Sequence, residues 1–365
     1  MRKTFRYRLF PTPAQQRKMV QTLRECRGLY NTLLAERRDI YERTGKSPSL
    51  YSQQGRFPRI KEANPALREV HSQVLQNVAV RIDLPFKAFF RRCKAGEKPG
   101  YPRFRGAGRY DSFTYLQSGF RVEGGRVFLS KIGHLKAVIH RPLEGQVKTA
   151  TVRKTAAGKW FVCFSCEVEP EPLPESSGGV GVDVGLKDII ATSDGESVSA
   201  PKFLRKEERE LARTQRRLSE APKGSRERAK RRKIVAKVHE RIKNKRTNFA
   251  HQQSRKLVNR YGFVAVEDLS VNRMNKNRCL AKSIADAAWT DLIQKLSYKA
   301  QWAGREFVKV SPAYTTQDCS YCGHRQVMPL EKRVYDCPTC GLSLDRDTNA
   351  ARNIKRLGLE SLGVA

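Results

Sequence analysis

The sequence predicts a multidomain α+β protein, and three observations carry that prediction. At 365 residues the chain exceeds one core, since domains run to roughly 100–200 residues. A Pro-, Ser- and Gly-rich stretch, PEPLPESSGG at residues 170–179, breaks it near the middle. Helical and strand-like textures lie on both sides of that break, with carboxylates set into apolar strands and paired cysteines near the C-terminus.

The opening KTFRYRLF alternates polar and apolar residues as a strand does, and PTP ends it. Thr12 then caps a long helix that starts at Pro13 and runs through AQQRKMVQTLRECRGLYNTLLAERRDIYERTG. A second helical stretch, LREVHSQVLQNVAVRIDLPFKAFFRRCK, follows a loop around Pro58 to Pro65, and Pro85 inside it predicts a kink or break. From Tyr110 to Val168, short alternating runs with turns at Gly124-Gly125 and Ala157-Gly158 predict an antiparallel barrel or sandwich, which the first strand can join.

Past the linker, GVGVDVG and IIATSD predict two buried strands joined by a turn, as in the first hairpin of an RNase H-like sheet. Between Arg205 and Arg260, 21 Lys and Arg stand against 6 acidic residues. This stretch predicts two long helices around Ala221-Pro222-Lys223-Gly224, with Leu211, Leu218, Ile234, Val238 and Ile242 on one apolar face. GFVAVEDL is then a strand, ADAAWTDLIQKLSYKAQWAG one helix, and REFVKVSP a further strand.

Lys and Arg outnumber Asp and Glu by 72 to 36, and a net charge of +36 points to a polyanionic partner, of which nucleic acid is the obvious one. No run of about 18 apolar residues, amphipathic anchor or signal-peptide core is legible, so a cytoplasmic protein with no membrane partner is expected. Nine cysteines, an odd number in a chain this long, speak against a secreted disulfide scaffold.

Three acidic residues stand at expected strand ends or helix starts: Asp183 in GVDVG, Glu267 in VAVEDL and Asp347 in LDRDTNAARNI. A carboxylate in a buried strand must pair, bind metal or change protonation state. Three of them from separate segments suit a site for two Mg2+ ions about 3.5–4 Å apart that hydrolyses a phosphodiester. The alternative is a turn cap, an ion pair and a helix cap respectively. Neighbouring Asp268 and Asp345 read as support or caps.

Cys319-x2-Cys322 and Cys337-x2-Cys340, separated by 14 residues, match a zinc ribbon whose four thiolates surround a tetrahedral Zn2+. CSYCGH and CPTCGL each supply the glycine a tight knuckle needs. Four sulfur ligands leave no open position, so the zinc is structural. His324 reads as a loop histidine. Cys163 and Cys166 share the spacing but point to opposite faces of one strand. With Cys26, Cys93 and Cys279 they read as core or surface thiols.

FKAFFRRCKAGEKPGYPRFRGAGRY interleaves cations that can hold phosphates with rings that can stack on bases. Lys87, Arg91, Arg92, Arg103 and Arg105 here, and Arg81 just upstream, are candidate nucleic-acid contacts. Ser72, Gln73 and Gln76 are candidates for reading base edges, or else polar positions on a solvated helix face.

The order of the Asp183 motif, basic helices, VAVEDL, CSYCG...CPTCG and DRDTNAARNI resembles the TnpB family, transposon-associated RNA-guided nucleases related to the type V CRISPR effectors. KTFRYRLFPTPAQ and LQNVAVRIDLPFKAFFRR...GYPRFR extend the resemblance over nearly the whole chain. It implies a RuvC-type nuclease domain at 179–316 and 341–365, with Asp183, Glu267 and Asp347 as catalytic triad and Mg2+ ligands, and a zinc ribbon at 317–340. It further implies a wedge-like β-barrel at 1–10 and 108–178, with a helical recognition domain at 11–107 inserted. The implied activity is cleavage of double-stranded DNA beside a short adjacent motif, directed by a guide RNA from the transposon end. A guide-dependent DNA-binding regulator that does not cut and a strand-joining transposase are the alternatives.

Overall fold

In the computed structural model, which describes residues 1–329 and 331–363, KTFRYRLF becomes strand β1 (Arg2–Phe10). Its alternation buries Phe5, Tyr7 and Leu9 and places β1 inside a sheet of seven antiparallel strands. The others are β2 (Ser112–Tyr115), β3 (Phe120–Glu123), β4 (Arg126–Leu129), β5 (Gly133–Val138), β6 (Gln146–Lys154) and β7 (Trp160–Glu167). Their order is β2-β6-β7-β1-β5-β4-β3. Among the described residues no ladder joins β2 to β3; Tyr115 of β2 instead donates its hydroxyl to Ser130 O at 2.8 Å, and its ring lies 6.5 Å from Phe120 of β3.

Between β1 and β2 come helices α1 (Pro13–Thr44), α2 (Leu50–Gly55), α3 (Phe57–Ala63) and α4 (Ser72–Lys94). The Thr12 hydroxyl accepts from Gln15 N at 3.3 Å while Thr12 N donates to Gln15 Oε1 at 3.0 Å, a reciprocal capping box. α4 runs unbroken through Pro85, against the expected kink or break. Proline inside a helix costs about 3 kcal/mol. Val74, Leu75, Val78, Ile82 and Phe86 are buried on this one helix, each contributing about 1.5–3 kcal/mol, so packing wins.

Contacts divide the chain into two compact units, Met1–Glu169 and Pro170–Ala365. The linker goes with the second: Leu173 N donates to Ala303 O and Ser176 Oγ to Arg260 O, each at 3.0 Å. Residues 170–178, expected with the barrel, thus fall in the second unit.

The second unit is built on β8 (Gly179–Asp183), β9 (Asp188–Thr192), β10 (Ser197–Ser199), β11 (Phe263–Glu267) and β12 (Glu306–Val310), ordered β10-β9-β8-β11-β12. β8, β11 and β12 are parallel, whereas β9 and β10 run antiparallel to their neighbours, an RNase H-like sheet. Helices α5 (Phe203–Glu220), α6 (Arg226–Arg260), α7 (Val271–Met274), α8 (Ala281–Ala287), α9 (Trp289–Trp302) and α10 (Arg346–Ser361) complete it. Val180, Val182, Val264 and Val266 pack on Leu257, Val258, Leu292 and Leu296 of α6 and α9. Phe263, Ala265 and Val310 pack on Ile354 of α10 at the other face.

Two expectations fail here. Ile234 is 47% exposed while Val238 and Ile242 are buried, and the α5–α6 seam is partly ionic: Glu207 accepts from Arg241 at 2.8 Å and Lys245 at 2.7 Å. ADAAWTDLIQKLSYKAQWAG is two helices, α8 and α9, parted at Ala288 with φ +54°. There Trp289 Nε1 donates to Gly185 O at 3.1 Å and docks the start of α9 under the turn after β8. Among the described residues no helix is long and apolar enough to cross a membrane.

Candidate active site and cysteine cluster

Side chains alternate along a strand, so Gly179, Gly181 and Asp183 share one face of β8, and Phe263, Ala265 and Glu267 the same face of β11. The parallel register pairs Val180 with Val264 and Val182 with Val266, which sets Asp183 and Glu267 side by side at the strands' C-terminal ends. A Cβ at Gly181 would fall 1.9 Å from Ala351 O and 2.6 Å from Lys355 N. Only glycine therefore lets α10 lie this close to β8, and the approach brings Asp347 in its first turn to the other two carboxylates. Asp345 is the helix cap, its Oδ1 accepting from Asp347 N and Thr348 N at 3.0 Å, so capping does not occupy the Asp347 carboxylate.

Burial, then repulsion from Glu267 and Asp347, pushes the pKa of Asp183 up to about 8. Glu267 is also raised by burial, partly offset by the Thr315 hydroxyl, which donates to its Oε1 at 2.6 Å. Asp347 is flanked by Arg346 Nε and Nη2 at 3.4 Å and by Arg333 Nη1 at 4.0 Å. A half-buried cluster of hard anionic oxygens that repel one another is a donor set suited to divalent Mg2+. Among the described residues only the four cysteines form a set of three or more such groups with all ligand atoms within 4.8 Å.

Cys319, Cys322, Cys337 and Cys340 converge, with Sγ–Sγ distances of 3.6 Å for Cys319–Cys340 and for Cys322–Cys337. Tetrahedral zinc with bonds of about 2.3 Å requires sulfurs about 3.8 Å apart, so the set fits the ion. Each pair forms a turn closed by a left-handed glycine: Gly323 (φ +76°) donates to Cys319 O at 3.0 Å and Gly341 (φ +72°) to Cys337 O at 3.1 Å. Strands β13 (Val334–Asp336) and β14 (Ser343–Asp345) carry the second pair. Buried Tyr335 donates to Gln317 O and His324 O, both at 3.0 Å, and ties the two knuckles together. His324 contributes its carbonyl and stands outside the sulfur cluster.

The cluster is fastened to α10. Asn349 Nδ2 and Asn353 Nδ2 donate to Asp318 O at 2.8 and 2.7 Å, Asn353 Nδ2 also to Thr315 O at 2.9 Å, and Ser320 N to Asn349 Oδ1 at 2.9 Å. Sequence reasoning missed Thr315, Arg333, Asn349 and Asn353. The amides had a signal, two buried positions four apart on the helix that carries Asp347.

The candidate nucleic-acid contacts lie in the first unit and divide by what already holds them. Arg81 is structural: it donates to Asn77 Oδ1, Ser112 O and Thr114 Oγ1 at 2.7–2.8 Å. Gln73 Oε1 accepts from Gln117 N and Ser118 N at 2.9 Å, so its amide oxygen is engaged within the fold, and Ser72 accepts from Lys61 at 3.4 Å. Lys87 pairs with Asp83 at 3.0 Å, Arg92 with Glu97 at 3.7 Å, and Arg105 lies over the Tyr30 ring. Gln76, Arg91 and Arg103 are exposed.

Known proteins match along the whole chain. The IS605 OrfB model, described as "Probable transposase", matches residues 163–278, and "Cas12f1-like, TNB domain" matches 289–354, which includes all four cysteines. A "Helix-turn-helix domain" model matches residues 1–46, which here form β1 and the single helix α1. A "Putative RNA-guided DNA endonuclease" of Streptomyces pristinaespiralis is 35% identical over 367 residues, 98% of this chain and 90% of that protein. InsQ of Escherichia coli K12, with the same description, is 30% identical and covers 97% and 92%. A solved structure, "Cryo-EM structure of the Cas12f1-sgRNA-target DNA complex", aligns over 93% of this chain and 82% of that one with a TM-score of 0.59 at 17% identity, a likeness of fold. Relatives this similar over nearly their full length establish that the chain belongs to the TnpB family of IS605 OrfB proteins.

Proposed function

We propose that this protein is an RNA-guided DNA endonuclease of transposon origin that hydrolyses DNA at Asp183, Glu267 and Asp347. The observation that carries the reading is the register of β8 and β11, which sets two carboxylates side by side where α10 delivers the third. The curated relatives' names, and the guide and target in the related complex, support RNA and DNA as partners. The net charge of +36 fits both.

The three carboxylates would hold two Mg2+ ions in a RuvC-type site. When bound, these supply positive charge to the phosphodiester oxygens and lower the pKa of water. The chain's own part is to position: Thr315 orients Glu267, Asp345 frees the Asp347 carboxylate by capping α10, and Arg333 and Arg346 put cations where a phosphate would arrive. The cysteines would hold one structural Zn2+. The guide would come from the transposon end, target DNA would be double-stranded and carry a short adjacent motif, and the protein would act in the cytoplasm. Residues 11–107 would serve as a recognition domain inserted in a wedge-like barrel.

The test is to purify the protein with its retained RNA, sequence that RNA, and offer matching duplex DNA with varied flanks in Mg2+ or EDTA. Discrete RNA and Mg2+-dependent cuts next to one flanking motif are expected, with Asp183→Ala binding but not cutting. Binding without cutting by the parent protein would make it a regulator. Guide-independent strand joining would restore the transposase reading.

A further inference from the structure

The second unit contains a cavity of about 550 Å3 that the proposed chemistry leaves without an occupant. Its floor is apolar, built from Leu186, Ile189, Phe249 and Leu292. Its rim is cationic, with Lys187, Lys202, Arg205, Arg246 and Arg333. The one acidic residue in the lining is Asp286, which is engaged: it accepts from Leu204 N at 2.9 Å and from Arg246 at 2.7 Å. Lys187, Lys202 and Arg205 thus face an opening with no other carboxylate in its wall among the described residues.

Two further features favour a planar, anionic guest. Phe203 and Phe249, with ring centroids 6.1 Å apart and planes at 73°, both line the cavity. Four described non-glycine residues have positive φ, and two of them, Lys202 (φ +50°) and Ala288 (φ +54°), belong to this wall. Backbone strain of that kind gathers at ligand sites. The cavity also adjoins the carboxylates. Arg333 lines it and reaches Asp347 at 4.0 Å, while Leu186 follows Asp183 by three residues.

We propose that the cavity receives one unstacked nucleotide of the DNA strand presented to the carboxylates, with its base against the phenylalanine rings and its phosphate at the rim cations. The inference rests on the nuclease reading. A volume in the small-ligand range of about 300–1,000 Å3 accommodates a nucleotide. Aromatic stacking accepts any base, so the subsite would grip a strand without reading its sequence.

The test uses the full chain with its retained RNA, in an Asp183→Ala background, and matched duplex DNA carrying 2-aminopurine singly at successive positions of the strand to be cut. One position should change fluorescence several-fold relative to its neighbours on binding. Ala200→Trp, which fills the cavity, should abolish that signal. Lys187→Glu with Lys202→Glu, both exposed, should weaken it, and should slow cleavage about tenfold in the parent background with RNA retention unchanged. An unchanged fluorescence profile and cleavage rate in the charge-reversed protein would overturn the proposal, as would loss of RNA in place of the DNA signal. A parent that never cuts would refute the nuclease reading instead, and the fluorescence profile would still decide what enters the cavity.

Discussion

Thr315 donates to Glu267 at 2.6 Å from a segment that continues, four residues later, into the first cysteine of the sulfur cluster, Cys319. Thr315 is itself held by Asn353, so one hydroxyl joins a carboxylate at the end of β11 to the junction of α10 and the cysteine cluster. A hydrogen bond to a charged group is worth about 1.5–3 kcal/mol. Thr315→Val should therefore raise the Mg2+ concentration for half-maximal cleavage roughly ten- to hundredfold, and shrink the Mg2+-induced rise in melting temperature. Thr315→Ser keeps the hydroxyl and should behave like the parent. Equal losses in the two variants would mean that the residue only packs.

The raised pKa of Asp183 has a thermodynamic sign. In the unfolded chain the group titrates in the ordinary carboxylate range, and in the folded, metal-free protein near 8. Between those values the native state binds the extra proton, so stability is fully present at low pH and is lost as pH rises towards 8. Without added Mg2+ the melting temperature should fall over that window, and Asp183→Asn should flatten the slope. A slope unaltered in Asp183→Asn would show that other groups carry it.

Metal analysis of the purified chain should find one zinc. Chelation should remove it, unfold the knuckles and abolish cleavage, because Arg333 and Thr315 are positioned from that segment. Cys322→Ala should lose the zinc. Cys163→Ala should keep it, since Cys163 and Cys166 lie on β7 with no second pair beside them among the described residues. Zinc lost from Cys163→Ala would place the site elsewhere.

Arg81→Ala should act on stability. Its hydrogen bonds to Ser112 O and Thr114 Oγ1 tie α4 to β2 and a third, to Asn77, lies within α4; removing all three should destabilise the first unit by about 3 kcal/mol. Arg103→Ala, at an exposed position, should leave the melting temperature unchanged and weaken RNA retention in high salt. Reversed outcomes would exchange the two roles.

What was legible in the sequence is what leaves a local mark. The alternation in KTFRYRLF, the Thr12–Gln15 cap, the apolar strands around Asp183 and Glu267 and the paired cysteines all announce themselves within a few residues. What depends on tertiary packing stayed hidden. The passage of α4 through Pro85 and the left-handed break at Ala288 follow from burial and from a tryptophan docking on a distant turn. Gln73 and Arg81 looked available because their partners, Gln117, Ser118, Ser112 and Thr114, lie over 30 residues away. Arg333 carries no motif of its own, and only the fold of the cysteine hairpin brings it to Asp347.

Gly181 has no side chain, yet α10 rests on the space that absence leaves. Any residue that replaces it adds the Cβ atom that would collide with Ala351 O. The protein is thus open to inactivation by drift at a position that touches no substrate. Among copies of a mobile element spreading through genomes, decay should begin at such silent contact points as readily as at the carboxylates. A copy with all three acids intact but a changed Gly181 would keep every motif while α10 was pushed away from β8.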